Sequence, residues 1–206
     1  MADSLFSDEP IPAGARIACR IEYDGSDYNG WQSQPHAGAV TVQDRLELAL
    51  SEIANTSLRV NCAGRTDTGV HAHSQIIHFD APVARSPKAW VIGGNSVLSR
   101  DIRIHWAVPV ASEFHARFSA RARCYRYVIA NTVIRPALLH SHVTWHRQEL
   151  DSNAMHLAAS TLLGEQDFSA FRAASCQSST PMRNVHSAVV VRYGDLVVLE
   201  ITANAF

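Results

Sequence analysis

Hydrophobic and polar residues alternate strictly near the start of the patterned part of the chain. Ile17, Cys19, Ile21 and Tyr23 are separated by single residues that are mostly polar. This period of two predicts a β-strand with one buried face and one wet face. The segment 24–31 that follows is rich in Gly, Asn and Asp and predicts a loop.

A helical period follows over residues 41–54. Thr41 with Asp44 three residues later is typical of a capping box at a helix N-terminus. The apolar residues of the segment fall on one helical face. They are Val42, Leu46, Ala49, Leu50 and Ile53.

Four further segments complete the first half of the chain. Residues 58–63 and 75–80 predict strands, Ser86-Pro87 predicts the start of a short helix, and residues 102–108 alternate as a strand. The order β-α-β-β-α-β predicts the ferredoxin-like split βαβ unit, an antiparallel sheet with both helices on one face. The other face is then free for a ligand.

A second, α+β half follows. Residues 124–130 predict a strand, Asp151 and Gly164 predict the two ends of a helix, and residues 185–192 and 196–202 predict a hairpin across Gly194-Asp195. We expect a flexible tail at residues 1–15, a ferredoxin-like half at 16–111, and a second half at 112–206. Because the chain stops within an apolar strand pattern, we expect this second half to be incomplete.

Composition narrows the class of protein. The chain has 206 residues, of which 47% are hydrophobic and 18% charged, as in globular proteins. No apolar run is long enough to cross a bilayer, and the start is acidic where a signal peptide is basic. The four cysteines have neither metal-site nor disulfide-scaffold spacing. We therefore expect a cytoplasmic protein without membrane contact.

The basic residues are unevenly distributed along the chain, which the net charge does not show. A net charge of −1 gives no overall attraction to a polyanion. All but one of the 18 basic residues are arginine, however, and four lie close together: Arg117, Arg121, Arg123 and Arg126. This cluster favours contact with nucleic-acid phosphates; the alternative is the solvated face of a strand.

One short segment carries candidate chemistry. Gly64 and Gly69 bracket Arg65-Thr66-Asp67-Thr68 between two predicted strands. Glycines permit a sharp connection there, which presents a carboxylate and a guanidinium to solvent. Arg65 near Asp67 would favour an ionised carboxylate that acts as nucleophile or base. The alternative is an Asp that caps the amides of its own turn.

This segment, Gly64-Arg65-Thr66-Asp67-Thr68-Gly69-Val70-His71-Ala72, closely resembles the active-site motif of the tRNA pseudouridine synthase A family. Further segments resemble that family in the same order: Ile21-Glu22-Tyr23-Asp24-Gly25, Gly30-Trp31-Gln32, Phe114-His115-Ala116-Arg117-Phe118-Ser119-Ala120, Tyr125-Arg126-Tyr127, Asp167-Phe168, Phe171-Arg172 and Ala203-Asn204-Ala205-Phe206. The resemblance covers nearly the whole chain from Arg16.

The resemblance implies a pseudouridine-synthase fold of two ferredoxin-like halves that form a mainly antiparallel sheet flanked by helices. It implies isomerisation of uridine to pseudouridine in the anticodon stem-loop of tRNA, at positions 38–40, without cofactor or metal, by a homodimer. Asp67 is then the nucleophile, Arg65 orients Asp67 or assists base flipping, and Tyr125 stacks on the flipped uracil.

The chain departs from the family pattern in two places. Thr68 stands where the family usually has Ala. Family members also continue past the Asn-Ala-Phe stretch into a helix whose Arg pairs with the catalytic Asp. We therefore expect the given chain to lack that partner and to have little activity.

Two other functions stay open. A split βαβ sheet is also the shape of RNA-recognition modules, so the chain could bind RNA without chemistry, although the paired aromatics of such a module are absent. Asp67, His71, His73 and His78 lie close in sequence and could bind a metal, as in a phosphodiesterase.

Overall fold

The computed structural model describes residues 6–34, 38–171 and 180–205. The chain divides into two compact units, Met1–Ala120 and Arg121–Phe206. The division falls later than the predicted boundary after residue 111. Segment 112–120 belongs to the first unit because Arg16 Nη1 donates to Phe114 O at 3.0 Å and Ala116 N donates to His78 Nδ1 at 3.1 Å.

The first unit is a four-stranded antiparallel sheet. Its strands are β1 (Arg16–Tyr23), β2 (Asn61–Cys62), β3 (Ala72–Asp80) and β4 (Ile102–Val110). Their order across the sheet is β2-β3-β1-β4. This is the strand order of the ferredoxin-like unit, so the sequence prediction of this topology is confirmed.

The helices of the first unit begin close to where the sequence placed them. Helix α1 (Val42–Ala54) has Thr41 as N-cap, whose Oγ1 accepts from Asp44 N at 3.2 Å. Asn55 ends the helix in the left-handed conformation, with φ of 53°. A π-helical turn, Ala89–Gly93, leads directly into the short helix α2 (Gly94–Val97).

The core of the first unit lies on one face of the sheet. The alternating residues of β1 that the sequence assigned to the buried face are all buried, and they pack with α1 and with Trp31 and Trp90. The opposite face carries polar side chains of the same strand, including Arg20 and Glu22, which are only partly buried.

Two sequence predictions for this unit need correction. Strand β2 is much shorter than residues 58–63, because side chains of α1 bind the backbone before it. Leu58 N donates to Ser51 Oγ at 2.9 Å, and Val60 N donates to Glu47 Oε1 at 2.9 Å. The predicted tail at 1–15 is not flexible throughout: buried Ile11 forms a β-bridge with Arg85.

The second unit is a five-stranded sheet in the order β6-β5-β9-β8-β7. Its strands are β5 (Arg123–Asn131), β6 (Thr144–His146), β7 (Gly164–Asp167), β8 (Met182–Tyr193) and β9 (Leu196–Ala203). All pairs are antiparallel except β5 with β6. The hairpin across Gly194-Asp195 is confirmed, with Gly194 at φ of 58°.

Helix α3 (Ser152–Ser160) packs against β8. Asp151 caps it as predicted, since its Oδ1 accepts from Asn153 N and Ala154 N, both at 2.9 Å. The helix ends before Gly164, which starts β7 with φ of 86°. Strands β5, β8 and β9 lie in the order β5-β9-β8. This is the order of the first three strands of a ferredoxin-like unit, with α3 as the helix of that unit. Within the described ranges, no helix is long and apolar enough to span a membrane.

The N-cap of α1 gives a first prediction. Thr41→Ala removes the oxygen that accepts from Asp44 N at a fully buried position. We expect the free energy of unfolding to fall by about 1 kcal/mol, whereas Thr41→Ser keeps most of it. Urea unfolding followed by circular dichroism measures this. Equal stability of the Ala and Ser variants would contradict the capping role.

Candidate active-site loop

The candidate chemistry lies in the connection between β2 and β3, residues 63–71, here called the aspartate loop. Arg65, Asp67 and Thr68 are exposed, and Gly69 has φ of 76°. Val70 N donates to Asp67 O at 3.2 Å and closes a turn around the acid. The aspartate loop therefore connects two strands of the sheet and exposes the Asp67 side chain to solvent.

Gln75 holds the first glycine of this loop. Its buried side chain lies on β3, where its Nε2 donates to Gly64 O at 2.5 Å and its Oε1 accepts from Gly64 N at 3.3 Å. The backbone N–H and C=O groups of Gly64 are thus both hydrogen-bonded by the side-chain amide of Gln75. This contact fixes where the chain leaves β2.

A second segment, residues 24–31, supports the other side of the aspartate loop. Trp31 N donates to Thr66 O at 2.9 Å, and Gly69 N donates to Tyr28 O at 3.3 Å. The hydroxyl groups of Tyr23 and Thr66 are hydrogen-bonded at 2.7 Å. Hydrogen bonds on both sides of Asp67 therefore hold the backbone that carries it.

Two glycines permit this support because the backbones approach very closely. A Cβ added at Gly25 would lie 2.1 Å from Val70 O. One added at Gly30 would lie 2.7 Å from Thr66 O and 3.2 Å from the carbonyl carbon of Asp67. Gly30 also has φ of +84°, which other residues rarely adopt. Neither position accommodates a side chain without moving the aspartate loop.

The supporting segment is itself bound to the start of α1. Val42 N donates to Gly30 O at 3.2 Å, and Gln43 N donates to Trp31 O at 3.1 Å. These amides lie in the first turn of the helix, where the backbone N–H groups have no acceptor within the helix. The helix N-terminus, the supporting segment and the aspartate loop thus form one continuous hydrogen-bonded stack.

Arg65 and Asp67 do not pair with each other. No ion pair joins the two among the residues that the structure describes, and none of those residues donates a hydrogen bond to the Asp67 carboxylate. Sequence reasoning expected a guanidinium beside the acid. The structure instead holds the backbone of Asp67, and its exposed carboxylate has no partner among the described residues.

Cys62, directly before the loop, is not a competing nucleophile. Burial raises the pKa of its thiol to about 11, although the positive charges of Arg65 and Arg117 lower it in part. The group is therefore a neutral thiol near pH 7. Of the other three cysteines, Cys19 is buried and Cys124 is exposed. Cys176 lies outside the described residues.

Tyr125 lies on β5 in the second unit. It is partly buried and is in register with Ile201 of β9. Tyr127 lies on the same side of the strand, is 53% exposed, and accepts a hydrogen bond from Thr144 Oγ1 at 2.7 Å. The hydroxyl group of Tyr127 thus has a partner on β6.

The four clustered arginines do not form one stripe. Arg117 and Arg121 are exposed. Arg123 and Arg126 lie on opposite faces of β5, because their positions differ by three, an odd number. Arg123 Nη1 donates to Asn204 O at 3.0 Å, whereas Arg126 Nε pairs with Glu200 Oε2 at 2.6 Å. The charge of Arg126 is thus already compensated.

The candidate metal ligands near Asp67 do not come together. His71 Nδ1 accepts from Gly25 N at 3.0 Å, and His78 Nδ1 accepts from Ala116 N at 3.1 Å further along β3. Within the described residues, Asp67, His71, His73 and His78 do not form a group that could share one ion. The interpretation of these four residues as a metal site has no support in the structure.

Sequence reasoning gave no role to the residues that hold the aspartate loop. Gly25, Gly30 and Trp31 were named only in segments that resemble the family. Tyr23 was named there and in a predicted strand, and Gln75 only at the start of a predicted strand. The spacing of Gly25 and Gly30 in a segment without helical or strand period was a usable signal, since such glycines often mark a close backbone approach.

The fold and the loop together define a class. Two mainly antiparallel sheets with few helices, and an exposed aspartate on a glycine-flanked turn, are consistent with the pseudouridine-synthase fold. The family model described as tRNA pseudouridine synthase matches residues 20–119 and 158–206. The chain belongs to this family.

Curated relatives agree with this assignment. A tRNA pseudouridine synthase A of Legionella pneumophila (strain Lens) is 55% identical over 93% of this chain and 72% of its own length. The proteins of the same name from Alcanivorax borkumensis and Stenotrophomonas maltophilia are 53% and 49% identical, over 93% of this chain and 71% and 74% of their own lengths.

The close approach at Gly30 gives a second prediction. Gly30→Ala adds a Cβ at positive φ and 2.7 Å from Thr66 O, whereas Gly14→Ala adds one at nearly the same φ, +83°, in open space. We expect Gly14→Ala to cost about 1 kcal/mol of unfolding free energy from backbone strain alone. Gly30→Ala should cost clearly more, because the clash adds to the strain.

The same pair should differ in catalysis. Gly30→Ala is expected to lower turnover of tRNA by at least about tenfold through displacement of Asp67, and Gly14→Ala to leave it unchanged. Denaturant unfolding and release of tritium from C5-labelled uracil measure the two effects. If both variants lose stability and activity equally, the contact between the two segments does not position the loop.

Proposed function

We propose that this protein isomerises uridine to pseudouridine in the anticodon stem-loop of tRNA, at positions 38–40, and that Asp67 is the nucleophile. The observation that carries the proposal is the aspartate loop. Its backbone is bound on both sides, and the Asp67 carboxylate has no partner among the described residues. The family assignment supports the reaction.

The reaction breaks the bond between N1 of uracil and C1′ of ribose, turns the base, and joins C5 to C1′. The hydrogen on C5 leaves as a proton and N1 takes up a proton from solvent, so nothing is oxidised or reduced. A carboxylate at this site can act on the sugar or on the base. Both routes need an ionised oxygen at a fixed position, because a pre-positioned nucleophile lowers the entropic part of the barrier.

The uridine must leave the RNA stack before it can reach Asp67. Eversion costs a few kcal/mol, which contacts with the protein must offset. Tyr125 is proposed to stack on the uracil, as its partly buried aromatic ring suits. Arg65 is exposed and makes no ion pair with Asp67, which favours its role in assisting base flipping over a role in orienting the acid.

The clustered arginines are proposed to contact tRNA phosphates. Exposed Arg117 and Arg121 suit this role best. Arg126 suits it least, because its pairing with Glu200 already compensates its charge. A homodimer in the cytoplasm, with one tRNA across both subunits, is part of the same proposal and would enlarge the basic surface available to a nearly neutral chain.

Replacement of the proposed nucleophile is the direct test. In a version of the protein with the full length of its relatives, Asp67→Asn keeps the shape of the side chain but removes its charge, so we expect tritium release from C5-labelled tRNA to fall on the order of a thousandfold or more. Affinity for tRNA should change little. Asp27→Asn, at another exposed acid of the supporting segment, is the matched control and should keep full turnover.

The outcomes separate the candidate functions. Retained turnover of Asp67→Asn would exclude Asp67 as nucleophile. Tight tRNA binding by the parent protein with no tritium release under any condition would instead favour a module that binds RNA without chemistry.

The arginines are tested by salt dependence. The logarithm of tRNA affinity should fall steeply with the logarithm of salt concentration, and Arg121→Gln should lower that slope by about one. Arg100→Gln, at an exposed arginine outside the cluster, is the control. Filter binding across a salt series measures the slopes. A flat response of the parent protein would contradict electrostatic docking.

A further inference from the structure

A large aromatic side chain outside the aspartate loop is exposed in an ordered setting. Phe118 is 77% exposed, in the turn at residues 115–119 that follows β4. A single exposed phenylalanine is common and needs no explanation by itself. The contacts around Phe118 distinguish it from such a case.

The ring of Phe118 is held in place by stacking. It lies on the imidazole of His115, with ring centroids 4.3 Å apart and planes at 30°. His115 in turn contacts the ring of buried His78 at 4.5 Å. The guanidinium of Arg117 lies over the Phe118 ring, with Cζ 5.8 Å from its centroid. Three rings therefore lead in series from the core to the surface.

The backbone of the turn is equally fixed. Arg117 N and Phe118 N donate to His115 Nδ1 at 3.2 Å and 3.4 Å. Ser119 N donates to His115 O at 2.7 Å, and His115 N donates to Ser119 Oγ at 3.0 Å. Such a turn loses little conformational entropy when a ligand binds.

This turn is attached to the strands that carry the aspartate loop. Ala116 N donates to His78 on β3, and His78 is in register with Asn61 of β2, which leads into the loop. The charges of Arg117 and Arg65 both act on the thiol of Cys62 and lower its pKa. The turn that carries Phe118 and the aspartate loop are thus both attached to β3 of the first unit.

We infer that Phe118 is a stacking platform for an unpaired base of the RNA substrate, distinct from the uracil assigned to Tyr125. A flat, pre-oriented ring fits a nucleobase face, and the neighbouring Arg117 guanidinium fits the adjoining phosphate. A purely apolar protein partner would gain nothing from that cation. The inference rests on the proposed function, because it takes RNA as the ligand.

Substitutions at Phe118 test the role of the ring. Phe118→Ala and Phe118→Leu should each weaken tRNA binding about tenfold or more, since stacking is lost in both, whereas Phe118→Tyr should bind like the parent. The salt slope should stay unchanged in all three, unlike that of an arginine variant. Tyr193→Ala, at a 64% exposed aromatic ring of the second unit, is the matched control and should bind normally.

Crosslinking identifies the occupant. Placing p-benzoylphenylalanine at residue 118 should yield a crosslink to tRNA, mapped to an unpaired nucleotide. Parent-like binding by Phe118→Ala, full rescue by Phe118→Leu, or a crosslink to a second protein chain in place of RNA would each overturn the inference. The two proposals can fail separately. If Phe118 is not a stacking platform, Asp67→Asn still loses turnover. If Asp67→Asn keeps its turnover, the proposed function fails, but the effect of Phe118→Ala on tRNA affinity is unchanged.

Discussion

The close contact between two loop backbones is the constraint on which the active site depends. Residues 25–30 lie against residues 66–70 with so little space that a methyl group at Gly25 would overlap a carbonyl oxygen. Only hydrogen bonds between main-chain groups, or to a single hydroxyl, fit in such a gap. The position of Asp67 is therefore set first through its backbone.

This arrangement supports the acid through its neighbours. The hydrogen bonds at Trp31 N, Gly69 N and Thr66 Oγ1 all lie beside Asp67, and none of them uses its carboxylate. A side chain whose backbone is held in this way keeps its hydrogen-bonding capacity for other partners. Because the carboxylate is exposed to water, its charge costs little free energy in the loop.

Much of the fold follows from the sequence alone, and the exceptions have identifiable causes. The alternation in β1, the capping residues Thr41 and Asp151, and the turn at Gly194 each act over a few residues, so their effects are local and readable. The length of β2 was overestimated because the side chains of Ser51 and Glu47, which lie on α1, bind the backbone just before the strand. Asp67 was proposed as the reactive acid from its flanking glycines and from family resemblance, but the lack of an ion pair with Arg65 among the described residues is a tertiary property that spacing cannot reveal.

The carboxylate of Glu47 shows how the helix and the aspartate loop are linked. It is almost fully buried, yet it accepts from Gln43 Nε2 at 2.8 Å and from Val60 N at 2.9 Å, and it lies 3.3 Å from Arg59 Nε. The chain approaching β2 is therefore tethered to α1 through a side chain instead of through the sheet ladder. A shift of α1 would therefore move the approach to β2 and, with it, the strand from which the aspartate loop begins.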